Sequence, residues 1–189
     1  KMAAEAKEKG YPIEVKAALI GSCTNSSYED ISRSAHIAKQ GMKAGLKAKA
    51  SFLVSPGSER IYHTMKRDGF LETFEKMGGT VLSNSCGPCI GQWKRDDIQK
   101  GQADTIITSF NRNFPGRNDA NPETLAFIAS PEITLALGLA GSLSFNPLTD
   151  EITVNGGTLR LTPPAPAPEV PKNGFAVAGD GYVAPAKDA

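Results

Sequence analysis

Three cysteines carry the most distinctive chemistry in this sequence: Cys23 in "LIGSCTNSSYED", and Cys86 and Cys89 in "SNSCGPCIGQW". A C-x-x-C pair beside strand and helix patterns reads first as a thioredoxin-type dithiol. That chemistry needs its first thiol activated, usually at a helix N-terminus. Here Gly91 follows in "IGQW" and weakens a helix start, Ser85 stands where such motifs usually carry an aromatic residue, and Cys23 has no role. Structural zinc needs a fourth ligand, and only His36 or His63 could supply it, each inside a helical pattern. Three passively buried thiols fit poorly with loops made of Gly, Ser, Asn and Pro. An iron–sulfur cubane takes thiolate ligands. Three of them leave one iron open, where it can act as a Lewis acid on an oxygen-bearing substrate. Such a substrate calls for cationic partners. Arg112 and Arg117 in "NRNFPGRNDA", beside Asn111, answer that need, because a guanidinium holds a carboxylate through two parallel N–H bonds.

These residues are useful only if the fold gathers them. "IEVKAALI" (13–20) is a short apolar, β-branched run that predicts a strand, and Cys23 follows it. "YEDISRSAHIAKQGMKAG" (28–45) places Ile31, Ala35, Ala38 and Met42 at helical spacing. "KASFLV" (49–54) predicts the next strand. Ser58 caps a helix running to Gly69, with "FLETFEKM" continuing it to Gly78-Gly79. "TVLS" (80–83) predicts a strand leading into the Cys86 loop, and "DTIITSF" (104–110) predicts one leading into the Asn111 loop. "NPETLAFIA" (121–129) and "SPEITLALGLAG" (130–141) both open with a cap residue, then Pro, then Glu, which predicts two helices. "EITVNGGTLRL" (151–161) predicts a hairpin about Asn155-Gly156-Gly157.

Alternating strands and helices predict an α/β fold, a three-layer α/β/α arrangement with a mainly parallel sheet and a C-terminal hairpin. In such sheets ligands bind beyond the C-terminal ends of the strands. Cys23, Cys86, Cys89, Asn111, Arg112 and Arg117 all follow predicted strands, so one sheet edge can collect them. The expected division is an α/β domain over 1–162 and a Pro/Ala-rich linker over 163–189. The linker's "PPAPAPEVP" favours extended polyproline II. Its alternative is a tail wrapped on the domain surface.

Composition excludes several classes. The 189 residues are 40% hydrophobic and 22% charged, with net charge +1, which is ordinary globular composition. The near-zero charge gives no reason to expect nucleic acid or an anionic membrane as partner, and no apolar run approaches a bilayer span. Three cysteines are too few for a disulfide scaffold and fit a reducing compartment. The N-terminal "KMAAEAKEKGYP" lacks the apolar core of a signal peptide, and the Lys1 start suggests a cut from a longer chain.

Taken together, "GSCTNSS", "CGPCIGQW" and "NRNFPGRNDANPET" closely resemble the aconitase family, in its mitochondrial-type aconitate hydratases. The likeness runs from about Ile13 to Asp150 and corresponds to the third, iron–sulfur-binding domain. The resemblance implies that Cys23, Cys86 and Cys89 ligate a [4Fe–4S] cluster with its fourth iron open. It also implies that Asn111, Arg112 and Arg117 line the substrate site, holding citrate, cis-aconitate and isocitrate. The implied reaction is a hydro-lyase isomerisation, with the catalytic base and other acid–base groups on further domains of the same chain. This segment alone is therefore expected to catalyse little or nothing. Isopropylmalate and homoaconitate-type hydro-lyases are the nearest alternatives, followed by a CGPC dithiol oxidoreductase. The wording fits a bacterial cytoplasm and a mitochondrial matrix alike.

Overall fold

The computed structural model of the protein describes residues 2–84, 86–110, 114–177 and 185–186. A short helix α1 (Met2–Glu8) leads to β1 (Val15–Ile20), α2 (Tyr28–Lys43), β2 (Ser51–Val54), α3 (Glu59–Arg67), α4 (Phe70–Lys76) and β3 (Gly79–Val81). After a long crossover come β4 (Asp104–Thr108), β5 (Thr124–Ile128), α5 (Pro131–Ala140), and a hairpin of β6 (Glu151–Val154) and β7 (Gly157–Arg160). The five strands β1–β5 form one sheet in the order β3-β2-β1-β4-β5, and every pairing in it is parallel. This is the expected α/β class.

Side-chain alternation along the strands separates two faces. Ala18, Ile20, Phe52, Val54 and Ile107 join the main core beneath α2, α4 and α5. Ala17, Leu19 and Ile106 point the other way and form a second, smaller core with Phe110, against which Leu53, Cys89 and Trp93 pack. The second face was expected to carry helices. Among the described residues it carries instead the irregular β3–β4 crossover, whose regular structure is a single 3-10 turn at Pro88–Ile90. Glycine, proline and charged residues in "CGPCIGQWKRDD" leave no apolar stripe long enough for a helix there.

Local chemistry sets the element ends. The Ser27 hydroxyl accepts from the Asp30 backbone N–H while the Asp30 carboxylate accepts from that of Ser27, a capping box that starts α2. Gly69, at φ 76°, breaks what was expected to be one helix into α3 and α4. The segment 121–129 was expected to be a helix and is the edge strand β5. Its cap-like Asn121 side chain accepts from the backbone N–H groups of Glu123 and Gly101, closing one turn only. The following Thr124–Ile128, too short to bury a helical face, finds its hydrogen bonds along β4.

The described part of the Pro/Ala-rich segment lies on the domain surface. Just ahead of it Thr162 N–H donates to Gln40 Oε1 at 2.8 Å, and within it Ala165 N–H donates to His36 Nδ1 at 3.4 Å and Ala176 N–H to Thr64 Oγ1 at 2.9 Å. Phe175 meets Tyr28 edge-on.

Candidate functional site

The strand order fixes where a site can form. The helical connections β1–α2–β2 and β2–α3–α4–β3 run outward over one face, while β3–β4 returns over the other, so the chain changes direction between β1 and β4. In open parallel sheets the crevice at such a switch point, beyond the strands' C-terminal ends, is where ligands bind. Here the two strand ends are tied together. Gly21 N–H donates to the buried Ser109 hydroxyl at 3.1 Å, and Ser109 N–H donates to Leu19 O at 3.0 Å.

Cys23 leaves β1 through a constrained turn. Ser22 sits at φ 70°, a region that costs a non-glycine residue energy and persists only where the surroundings impose it. Its carbonyl accepts from the fully buried Ser26 hydroxyl at 2.8 Å. The loop after β2 presses on this turn, since a Cβ built at Gly57 would lie 2.9 Å from Ser26 O and 3.6 Å from Cys23 O. The loop after β3 joins in. The Asn84 side-chain amide, oriented to match its partners, donates to Pro56 O and accepts from Glu59 N–H.

Cys86 and Cys89 lie on the crossover loop, Cys86 exposed and Cys89 half-buried, as Cys23 is exposed. Cys89 lines one cleft together with Gly21, Ser22, Ser55, Pro88 and Phe110. The Cys89 loop and the turn leading into Cys23 are therefore neighbours at the same sheet edge. Arg117 approaches from the third loop. Its carbonyl oxygen lies 3.0 Å from a Cβ built at Gly91, the next-door Asn118 side chain donates to Pro88 O at 3.2 Å, and its own guanidinium lies over the Phe114 ring at 5.2 Å. Asn111 and Arg112 lie outside the described residues.

The three post-strand loops thus converge. Among the described residues, however, no three His, Cys, Asp or Glu side chains close on a point where a single ion could sit. A cubane spreads its thiolates over separate irons, so its donors stand apart by the width of the cluster. Three thiols on post-strand loops are the soft donor set such a cluster takes. The histidines do not join them. His36 accepts a hydrogen bond from the tail, and His63 sits 3.8 Å from Glu59 along its own helix. The 3-10 turn at Pro88–Ile90, ended by Gly91 at φ 86°, is not the helix N-terminus that would activate a dithiol.

Composition and spacing did not single out a buried charge cluster on the crossover. The Arg95 side chain is 2% exposed and reaches three carboxylates. It grips Asp97 through Nε at 3.0 Å and Nη2 at 2.6 Å, while Nη1 contacts Asp104 at 2.5 Å and Asp119 at 3.4 Å. Desolvation works against the charged guanidinium, but the Asp97 and Asp104 hydrogen bonds outweigh it and hold the Arg95 pKa above its ordinary value. The Arg95 hydrogen bonds in turn hold the Asp97 carboxyl below the usual carboxylate range. In the sequence Arg95 belongs to the run "KRDD", which reads as solvated surface. The one hint was Asp104, an acid opening a β-branched strand that is buried along its whole length.

Comparison with known proteins identifies the family of the chain. The aconitase family (aconitate hydratase) matches over residues 1–141. A probable mitochondrial aconitate hydratase of Dictyostelium discoideum is 54% identical over 186 residues, covering 98% of this chain and 24% of that protein. The mitochondrial aconitate hydratase of Saccharomyces cerevisiae is 52% identical over 188 residues, again with 24% of its length covered. The chain belongs to the aconitase family, and it spans about a quarter of the length of the relatives it matches. A crystal structure of Thermococcus kodakaraensis aconitase X in its holo form is a loose likeness, with TM-score 0.38 and 16% identity over 74% of this chain and 28% of that one.

Proposed function

We propose that this chain is the iron–sulfur-ligating part of an aconitate hydratase that interconverts citrate and isocitrate through cis-aconitate. Cys23, Cys86 and Cys89 would hold a [4Fe–4S] cluster by three of its irons. When bound, that cluster supplies an open iron as a Lewis acid for the substrate's hydroxyl. The chain's own residues do the rest of what this segment offers. Arg117, with Arg112, pairs with substrate carboxylates through the guanidinium fork, and Asn111 orients the substrate beside them. Arg117 forms no ion pair among the described residues, which leaves its fork available. Proton removal from the neighbouring carbon falls to a base on another domain, so this segment by itself is expected to show no turnover. The relatives' names include "mitochondrial", and a mitochondrial matrix location is proposed on that basis. Among the described residues no helix is long and apolar enough to cross a membrane.

The observation that carries this reading is the single cleft lined by both the turn leading into Cys23 and by Cys89. It is tested by anaerobic reconstitution of the full-length protein with iron and sulfide, which should give about four irons per chain and cluster absorption. Cys23→Ser should retain markedly less iron. An unchanged iron content and spectrum in that variant would refute the three-thiolate assignment. Insulin-type disulfide reduction dependent on Cys86 and Cys89 would instead favour a dithiol enzyme.

A further inference from the structure

We propose that Arg95 is a positioning residue that holds the Cys86–Cys89 loop in register with the loop carrying Arg117, an inference that rests on reading the first loop as ligand-bearing. Arg95 sits six residues after Cys89 on the same crossover. Its guanidinium carbon lies 5.0 Å from the centre of the Trp93 ring, and Trp93 and Cys89 pack on the same small core of Ala17, Leu19, Ile106 and Phe110. One end of the fork grips Asp97 on its own loop. The other reaches Asp104 at the start of β4 and Asp119 beside Arg117.

The two buried acids are themselves fixed. The Thr124 hydroxyl lies 2.9 Å from Asp104 and 2.8 Å from Asp119, and Asn121 Nδ2 donates to it at 3.2 Å. Asn118, next to Asp119, donates back to Pro88 between the two cysteines of the motif. A closed circuit therefore runs from the thiolate loop through Arg95 to the Arg117 loop and back.

A buried ionic set is weak evidence for stability, since apolar residues of equal volume often do as well. What it supplies here is direction. A planar fork that must satisfy partners on three segments permits one placement of the loop, which neither an apolar side chain nor a lysine can impose.

The test uses the full-length protein freed of metal, reduced, and alkylated with iodoacetamide, with the rate at each cysteine read by peptide mass mapping. In Arg95→Lys, Cys89 should react about tenfold faster than in the parent, as expected when local opening loses a charge-assisted contact. Cys23, which belongs to a different loop, should not change. Asp119→Asn, a milder change, should move Cys89 the same way by about threefold, and it carries the test alone if Arg95→Lys fails to fold. Ile31→Val, a buried change on the opposite face, serves as control for general loosening. A Cys89-to-Cys23 rate ratio equal to that of the parent, or of Ile31→Val, overturns the inference. The iron arm separates the two claims. If the parent takes up no iron while the ratio shifts, the cluster reading falls and the positioning role stands. If iron is taken up and the ratio does not move, the positioning role alone falls.

Discussion

Gly57→Ala is the change that most directly probes how Cys23 is held. Gly57 has no left-handed backbone to protect, so an alanine is conformationally acceptable, and only space opposes it. The added Cβ would meet Ser26 O at 2.9 Å, about 0.5 Å short of ordinary contact, with Cys23 O at 3.6 Å. The obstacle is backbone, and it cannot swing away as a flexible side chain would. Ser26 is fully buried and hydrogen-bonded to the strained Ser22, so displacement passes directly into the turn that presents Cys23. Overpacking of this kind costs about 1–3 kcal/mol, and the stiffer unfolded chain returns roughly 0.4–1 kcal/mol. The net is a loss of about 1–2 kcal/mol, which for a domain of this size lowers the melting temperature by roughly 2–8 °C. Thermal and urea denaturation measure it, with an unchanged urea slope expected because only the native state is altered. In the same variant Cys23 should react faster with a thiol reagent while Cys89 holds its rate. A Gly57→Ala protein that melts at or above the parent temperature, which chain entropy alone would produce, would show that the loops do not press on one another and would falsify the account of the Cys23 turn.

Two further expectations concern the helical side. A Cβ at Gly138 of α5 would lie 2.7 Å from the Ala18 Cβ of β1, so Gly138→Ala should destabilise by about 1–2 kcal/mol despite its better helix propensity. In an Ala18→Gly background the same change should become neutral or stabilising, and additive effects in the double-mutant cycle would refute the contact. Burial, and after it the Asp68 carboxylate hydrogen-bonded at 2.7 Å, push the Tyr28 phenol up to about 12. Ultraviolet titration should find one of the four tyrosines ionising that late, and Asp68→Asn should bring it back toward 10. Because the folded value is raised, the linked stability is fully present below the unfolded pKa near 10 and is lost as pH rises through the folded one. A phenol that titrates normally would refute the burial argument.

Several elements that pack on the main core were legible in the sequence because each carries a clear local signal, whereas the short helix α1, with Ala6 in that core, was not foreseen. α2 has both the capping box and the helical stripe of Ile31, Ala35 and Ala38, and β1 is a short, nearly continuous apolar run of the kind buried in parallel sheets. The edge strand β5 was not legible. Asn121-Pro122-Glu123 is a sound helix start locally, and it lost to pairing along β4, a tertiary term that no window of sequence contains. Arg95 was hidden for a similar reason. A charge run is ordinarily solvated, and only the arrival of Asp104, Asp119 and Trp93 from different segments makes this one buried. Cys23 and Arg117 were readable as sheet-edge residues because each follows a strand. How closely their loops touch depends on Gly57, Gly91 and Asn118, whose roles exist only once the loops meet.

The absence of helices on the second face, among the described residues, follows from what that face has to do. Right-handed crossovers force the β3–β4 connection to that side once the chain reverses direction at β1. A helix there would cover Leu19 and Ile106 with a cylinder about 10 Å across and hold backbone and thiols away from the switch point. An irregular crossover can lie flat, bring Cys89 and Trp93 directly onto the sheet, and turn its carbonyls toward neighbours such as Asn118. It gives up the regular hydrogen bonds of a helix in doing so, and a loop without them needs another source of order. The buried Arg95 set is placed to supply it. On the helical face, apolar packing beneath α2, α4 and α5 already determines where each element sits, and the Arg33–Glu132 pair between α2 and α5 only adds to it.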